Sequence, residues 1–279
     1  MSVRRLSIVG AIALFVASVA AAVAFGHGSS RMDDRVLVTH VGALRYAVYL
    51  PADYASSGLR YPVVYFLHGL PGTATSYRGI GWLERALDAS GKPAILVAPQ
   101  GASARERDPE YLGKWETAIA GDLPGAVDKA YRTIASRSGR ALIGVSAGGY
   151  GAMHLAFAHL AEFRAVVSWS GYFHPTDPTG TIPLDLGTSA KNAAANVHRQ
   201  LTAVEARLDR SPLFIGFYIG RNDSYRAFVG ENEQFNQELS RAGIGHVFRL
   251  YAGGHSSALW SAQAPAWLRL ALNALAPAR

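Results

Sequence analysis

Cysteine is absent from the 279 residues. Its absence removes disulfide frameworks, thiolate zinc sites, iron–sulfur clusters and cysteine nucleophiles together. Charge is sparse as well. Asp, Glu, Lys and Arg make up 17% of the chain, against about 25% in an average soluble domain. No run of five or more like charges occurs, and no basic stripe carries interleaved aromatics. The net charge of +7 therefore does not read as a nucleic-acid footprint. There is no H-E-x-x-H, no clustered His/Asp set at ligand spacing and no G-x-x-x-x-G-K-[ST]. No dinucleotide fingerprint is followed by an acid at the right distance. The expectation is an enzyme or binding protein with no metal, no cofactor and no nucleic-acid partner.

Apolar residues, in contrast, make up 49% of the chain, enough for a large core and incompatible with whole-chain disorder. The first 30 residues stand apart. Arg4 and Arg5 precede an uncharged apolar run over residues 6–25, and both Ala20-Ala21-Ala22 and Ala22-Val23-Ala24 fit an A-x-A cleavage pattern. This is the layout of a secretory signal peptide. About twenty apolar residues also just span a bilayer, so an uncleaved N-terminal anchor is the alternative. Either way Arg4 and Arg5 stay in the cytoplasm and the rest is exported, to the exterior or the cell envelope. Membrane contact is expected only through residues 1–30. Removing residues 1–24 lowers the charge from +7 to +5 by the loss of Arg4 and Arg5, so the basicity belongs to the domain.

From residue 33 onward short β-rich runs alternate with helical stretches. Strands are expected at 36–41, 44–50, 61–67, 94–98, 141–145, 165–169, 213–219 and 246–251. Helices are expected at 82–89, 114–131, 149–159, 226–242 and 258–275, with a helical stretch around 190–208. Apolar strands alternating with helices predict one domain, residues 33–279, built on a mostly parallel sheet with helices on both faces. The first two strands are close enough to make an antiparallel edge. Residues 171–211 form a Pro- and Gly-containing, lid-like insertion before the penultimate strand, where substrate-shaping elements are usually found.

Gly144-Val145-Ser146-Ala147-Gly148 is a G-x-S-x-G between an expected strand and an expected helix, the setting of a nucleophile elbow. So tight a turn tolerates only small flanking side chains, and Gly144 and Gly148 supply them. A serine hydroxyl needs a base. In the Ser, acid, His order of this fold class the base belongs after the last strand, which selects His255. The acid belongs after the penultimate strand, where Asp223 is the first carboxylate; Glu231, Asp177 and Asp185 are its rivals. Oxyanion donors are expected at the backbone N–H groups of Ala147 and Leu70, with Gly69 as the alternative to Leu70. His68 is read as holding that loop. Tyr172, Phe173 and His174 directly follow a strand and are candidates for lining a substrate pocket; packing the insertion down is the competing role.

Three segments carry a family resemblance across residues 45–270. They are Phe66-Leu67-His68-Gly69-Leu70, Trp115-Glu116-Thr117 with Asp122-Leu123-Pro124, and Gly144-Val145-Ser146-Ala147-Gly148-Gly149-Tyr150-Gly151-Ala152. With Gly253-Gly254-His255 and Trp260 they resemble the esterase group that contains antigen 85 mycolyltransferases, feruloyl esterases and S-formylglutathione hydrolases. The resemblance implies an α/β-hydrolase fold, with Ser146 as nucleophile, His255 as base, Asp223 as acid and Glu116 as a hydrogen-bonder beneath the site; direct substrate contact is the competing role of Glu116. An aspartate acid departs from the antigen 85 branch, which uses glutamate. The resulting expectation is an exported serine esterase acting on a small-molecule, lipid or glycan ester. Acyl transfer to an envelope sugar or lipid is one alternative, and a non-catalytic binding module on the same fold is another.

Overall fold

Strand β3 (Val63–Leu67) illustrates how the apolar runs are used. Side chains alternate across a strand. Val63, Tyr65 and Leu67 join one hydrophobic layer, Val64 and Phe66 the other, and all five are buried. In β4 (Ile95–Pro99), Ile95 and Val97 lie opposite Leu96 and Ala98 in the same way. Strands with no polar face must be covered on both sides. The computed structural model of the protein describes residues 32–70, 73, 75–101, 111–176 and 182–279, and it places helices over both faces.

The remaining strands are β1 (Met32–Thr39), β2 (Gly42–Tyr49), β5 (Arg140–Val145), β6 (Ala165–Trp169), β7 (Phe214–Gly220) and β8 (His246–Tyr251). They form an eight-stranded sheet in the order β1-β2-β4-β3-β5-β6-β7-β8. The pairs β1/β2 and β2/β4 are antiparallel, and every other pair is parallel. The expected antiparallel edge is therefore present, with β2 joined to the parallel part through β4.

The helices are α1 (Tyr54–Ser57), α2 (Gly81–Ser90), α3 (Lys114–Glu116), α4 (Leu123–Ala130), α5 (Ala147–Ala158), α6 (Ser189–Ala195), α7 (Val197–Leu208), α8 (Arg226–Arg241) and α9 (Ser257–Asn273). α2 and α9 cover one face through Leu83, Leu87, Trp267 and Leu268. α5, α7 and α8 cover the other through Met153, Phe157, Leu201, Phe235 and Leu239. Every residue of α5 from Ala147 to Phe157 is buried. A helix apolar on all sides must be enclosed, and α5 is enclosed between the sheet and the helices of the insertion. Residues 31–279 form one compact unit. The expected leader at 1–30 lies outside the described residues. Among the described residues no helix is long and apolar enough to cross a membrane.

Two helical expectations are refined. The single helix expected over 114–131 is α3, a π-helical turn (Thr117–Asp122) and α4. Pro124, which has no N–H to donate, falls in the first turn of α4, where none is needed. The helical stretch around 190–208 is divided at Asn196, which ends α6 and caps α7. Its side-chain oxygen accepts the Arg199 N–H at 3.1 Å. The insertion folds back on itself through a Thr176/Pro183 bridge. It is tied to α5 because the Tyr150 hydroxyl donates to the Ala195 carbonyl at 2.7 Å and the Gln200 amide donates to His154 Nδ1 at 3.0 Å.

Asn196→Ala removes the only side-chain cap of α7 seen among the described residues. It should cost about 1 kcal/mol in urea unfolding, and Asn196→Asp should recover most of the loss.

Candidate active site

β5 ends at Val145 and α5 begins at Ala147, leaving Ser146 alone to make the turn. Its φ of 55° and ψ of −122° lie where a side-chain-bearing residue is rarely found. Such a conformation costs about 1–3 kcal/mol and persists only where the surroundings over-determine it. Here they do. The Ser146 N–H donates to the Trp169 carbonyl at 2.9 Å, and its carbonyl accepts from Gly149 and Tyr150 at 2.8 and 3.1 Å. A Cβ on Gly144 would strike the Gly148 carbonyl, and one on Gly148 would strike the carbonyls of Leu67 and His68. The glycines that flank the serine are thus demanded by backbone-to-backbone contact.

His255 and Asp223 arrive on the loops after β8 and β7. His255 Nε2 lies 3.0 Å from Ser146 Oγ, and its Nδ1 lies 2.8 Å from Asp223 Oδ2. The Asp223 carboxylate is fully buried, and such a group must be hydrogen-bonded to be tolerated. Its other oxygen accepts the Tyr225 N–H at 3.0 Å. The carboxylate can only accept, so Nδ1 carries the proton and Nε2 offers its lone pair to the serine. The two loops are stitched together: Arg221 N–H donates to Tyr251 O at 2.8 Å and Asn222 N–H to Gly253 O at 2.9 Å. The seam is so close that a Cβ on Gly220 would collide with the Gly253 carbonyl.

The loop after β3 lies over the elbow. A Cβ built on Gly69 would sit 3.1 Å from Ser146 Cβ and 3.7 Å from Oγ. His68 holds this loop. Its Nδ1–H donates to Gly69 O at 2.9 Å, its Nε2 accepts the Gly101 N–H at 3.0 Å, and Tyr111 donates to its carbonyl at 2.5 Å. Burial pushes the His68 pKa down, in keeping with a ring whose second nitrogen must stay an acceptor. Ala147 opens α5, so its N–H belongs to the first turn, which has no intrahelical acceptor. Leu70 is half-buried beside this loop.

The rival acids are engaged elsewhere. Glu231 on α8 pairs with His174 at 2.5 Å and His198 at 3.3 Å. Asp185 accepts from Gly187 and Asn192 on the insertion, each at 2.9 Å. Asp177 lies outside the described residues. The substrate candidates separate. Tyr172 is buried and stacks between Tyr150 and Phe228, with centroids 5.6 and 4.5 Å away. Phe173 is fully buried against Phe217 and Phe235. Both rings pack the insertion into the core, where aromatic burial is worth most. His174 lines a cavity of about 560 Å³ on the insertion with Asn192, Asn196 and Arg199. The rings that do flank the histidine are Tyr225 at 5.0 Å, Trp260 at 5.1 Å and Phe228 at 6.5 Å. Tyr225 and Phe228 were not among the sequence candidates. Their one legible signal is an aromatic two residues after Asp223 and another one helical turn further on.

Glu116 hydrogen-bonds His159 at 2.9 Å and His154 at 3.4 Å. The bonds from His154 and His159 outweigh burial and bring its pKa from 4.5 down to about 2.

A model of the family described as Esterase matches residues 42–270. Esterase Rv1288 of Mycobacterium tuberculosis is 29% identical over 238 residues, 75% of this chain and 51% of that protein. The chain spans about half the length of the curated relatives it matches. A solved ferulic acid esterase superposes with a TM-score of 0.74 at 24% identity, over 88% of this chain and 98% of its own. An S-formylglutathione hydrolase from Agrobacterium tumefaciens gives 0.68 at 20% identity, over 88% and 95%. These structures share the α/β-hydrolase fold with this chain.

Two outcomes follow from the geometry. Gly220→Ala should force the Asp223 and His255 loops apart and cost about a hundredfold in kcat on a p-nitrophenyl ester, with the far-UV circular dichroism unchanged. The lowered pKa of Glu116 means that its ionised form is favoured in the folded state. It therefore stabilises above pH 4.5 and ceases to do so as the pH falls toward 2. Glu116→Gln should lower Tm above pH 4.5, and the gap from wild type should close as the pH is taken down to 2.

Proposed function

The chain belongs to the Esterase family, and on that premise we propose that it is an exported serine esterase that hydrolyses carboxylic esters through an acyl-enzyme. The observation that carries the reading is a serine held at φ 55° with a histidine nitrogen 3.0 Å from its hydroxyl and a buried aspartate 2.8 Å from the opposite nitrogen. Export rests on Arg4 and Arg5 followed by the apolar run over residues 6–25.

The chemistry proceeds in two halves. Ser146 Oγ attacks the ester carbonyl carbon as His255 Nε2 takes its proton. The carbonyl π pair moves onto oxygen, and the backbone N–H groups of Ala147 and Leu70 receive the oxyanion, assisted by the N-terminal end of α5. Asp223 stabilises the imidazolium without taking its proton. The intermediate collapses, the C–O bond to the alcohol breaks, and His255 protonates the departing alkoxide. Ser146 is left acylated. Water then attacks the acyl carbon with His255 again as base, and collapse returns the free acid and Ser146.

Ser146→Ala should abolish labelling by a fluorophosphonate probe and reduce ester turnover by four to six powers of ten, on the order seen when a member of such a triad is removed. Turnover or labelling that survives in Ser146→Ala would overturn the assignment.

A further inference from the structure

The His255 ring is fixed at both nitrogens, but two hydrogen bonds at the ends of a ring leave its plane free to roll. The roll is blocked by two aromatic neighbours. Tyr225 stands at 75° to the imidazole with centroids 5.0 Å apart, and Trp260 stands at 88° with centroids 5.1 Å apart. Perpendicular ring pairs at this distance are favourable and directional. Tyr225 is adjacent to the acid loop and donates its N–H to Asp223, so it moves with the carboxylate. Trp260 has a different anchorage. It lies in the first turn of α9, and its indole N–H donates to Ser170 Oγ at 3.0 Å.

Ser170 is itself a fixed point. It is fully buried, holds a φ of 48°, and donates its N–H to Tyr218 O at 2.8 Å. The residue before it, Trp169, supplies the carbonyl that receives the Ser146 N–H. The two-residue segment at the end of β6 therefore holds the backbone of the serine and, through the indole, one side of the imidazole. The distance between Oγ and Nε2 is set across this shared support.

We propose that Trp260 is a positioning residue for ester hydrolysis, which orients the His255 ring toward Ser146 by bracing it against Ser170. The proposal rests on the Ser146–His255 mechanism above. It adds a residue that acts through the His255 ring. Such a residue should act on kcat through His255 alone.

The test is a set of variants assayed on a short-chain p-nitrophenyl ester, with Tm measured for each. Trp260→Leu removes the ring and should lower kcat about tenfold with KM unchanged, the size expected for one ring pair. Trp260→Phe keeps a ring beside the imidazole and should recover most of that loss. In a His255→Ala background, Trp260→Leu should cost nothing further, because the group it positions is gone. An unchanged kcat in Trp260→Leu overturns the proposal. So does a loss carried by KM, or an equal loss in the His255→Ala background. If Trp260→Leu does not fold, Ser170→Ala carries the test. It removes only the hydrogen-bond acceptor and should lower kcat without moving KM, and an unchanged kcat there is overturning. Ser146→Ala separates the two levels: full turnover in that variant defeats the mechanism and this proposal together. Dependence on Ser146 with indifference to Trp260 defeats this proposal alone.

Discussion

The structure depends on one close approach, the passage of the β5–α5 backbone past itself around Ser146. Gly144 and Gly148 touch backbone to backbone, and Gly148 also lies against the end of β3. The strain at Ser146 is held by hydrogen bonds from both directions, through the Trp169 carbonyl and the first turn of α5. Once the turn is so tight, the helix behind it must start at Ala147 and run through the core. That requirement accounts for the small and apolar residues on every side of α5. The nearby chain carries the same compression, with the loop after β3 drawn over the elbow at Gly69.

Asp223 and His255 come from the far side of the parallel sheet, and a second close approach fixes them. β7 and β8 end side by side, and Gly220 and Gly253 let their loops meet at backbone distance. Neighbouring parallel strands release their C-terminal loops at the same edge, which is where ligands bind in open α/β sheets. Ser146, His255 and Asp223 thus stand on three loops of one edge. Each loop is held mainly by main-chain contacts, which side-chain motion does not loosen.

The insertion divides between core packing and a cavity of its own. Its first aromatics, Tyr172 and Phe173, turn inward to seal the core, and His174 faces the insertion's own cavity. The histidine pairs of this region bind it to α8. Burial resists the charge on Glu231, but its hydrogen bonds with His174 and His198 outweigh that and hold its pKa low. Burial pulls the His198 pKa down, but Glu231 and Glu238 of α8, both hydrogen-bonded to its ring, outweigh that and raise it. Those histidine–carboxylate contacts fasten the insertion to α8, whose Phe228 lies beside His255.

Much of this was legible in the order of residue types. Alternation of apolar runs with helical stretches is a local property, and it defined seven of the eight strands to within a residue or two and the parallel sheet they form; β1 begins four residues earlier than its expected start at residue 36. G-x-S-x-G between strand and helix is also local, because steric exclusion at the turn admits few side chains. The order Ser146, Asp223, His255 located three loops. What sequence could not decide is which side chains face each other across those loops. Whether Asp223 or Glu231 meets His255 depends on where β7 releases the chain relative to β8. The inward turn of Tyr172 depends on the ring of Phe228, 56 residues away. The perpendicular seat of Trp260 depends on a strained serine at the end of another strand. Local chemistry selects each residue's conformation and tolerance for crowding, whereas distances between side chains are set only when all the strands stand in register.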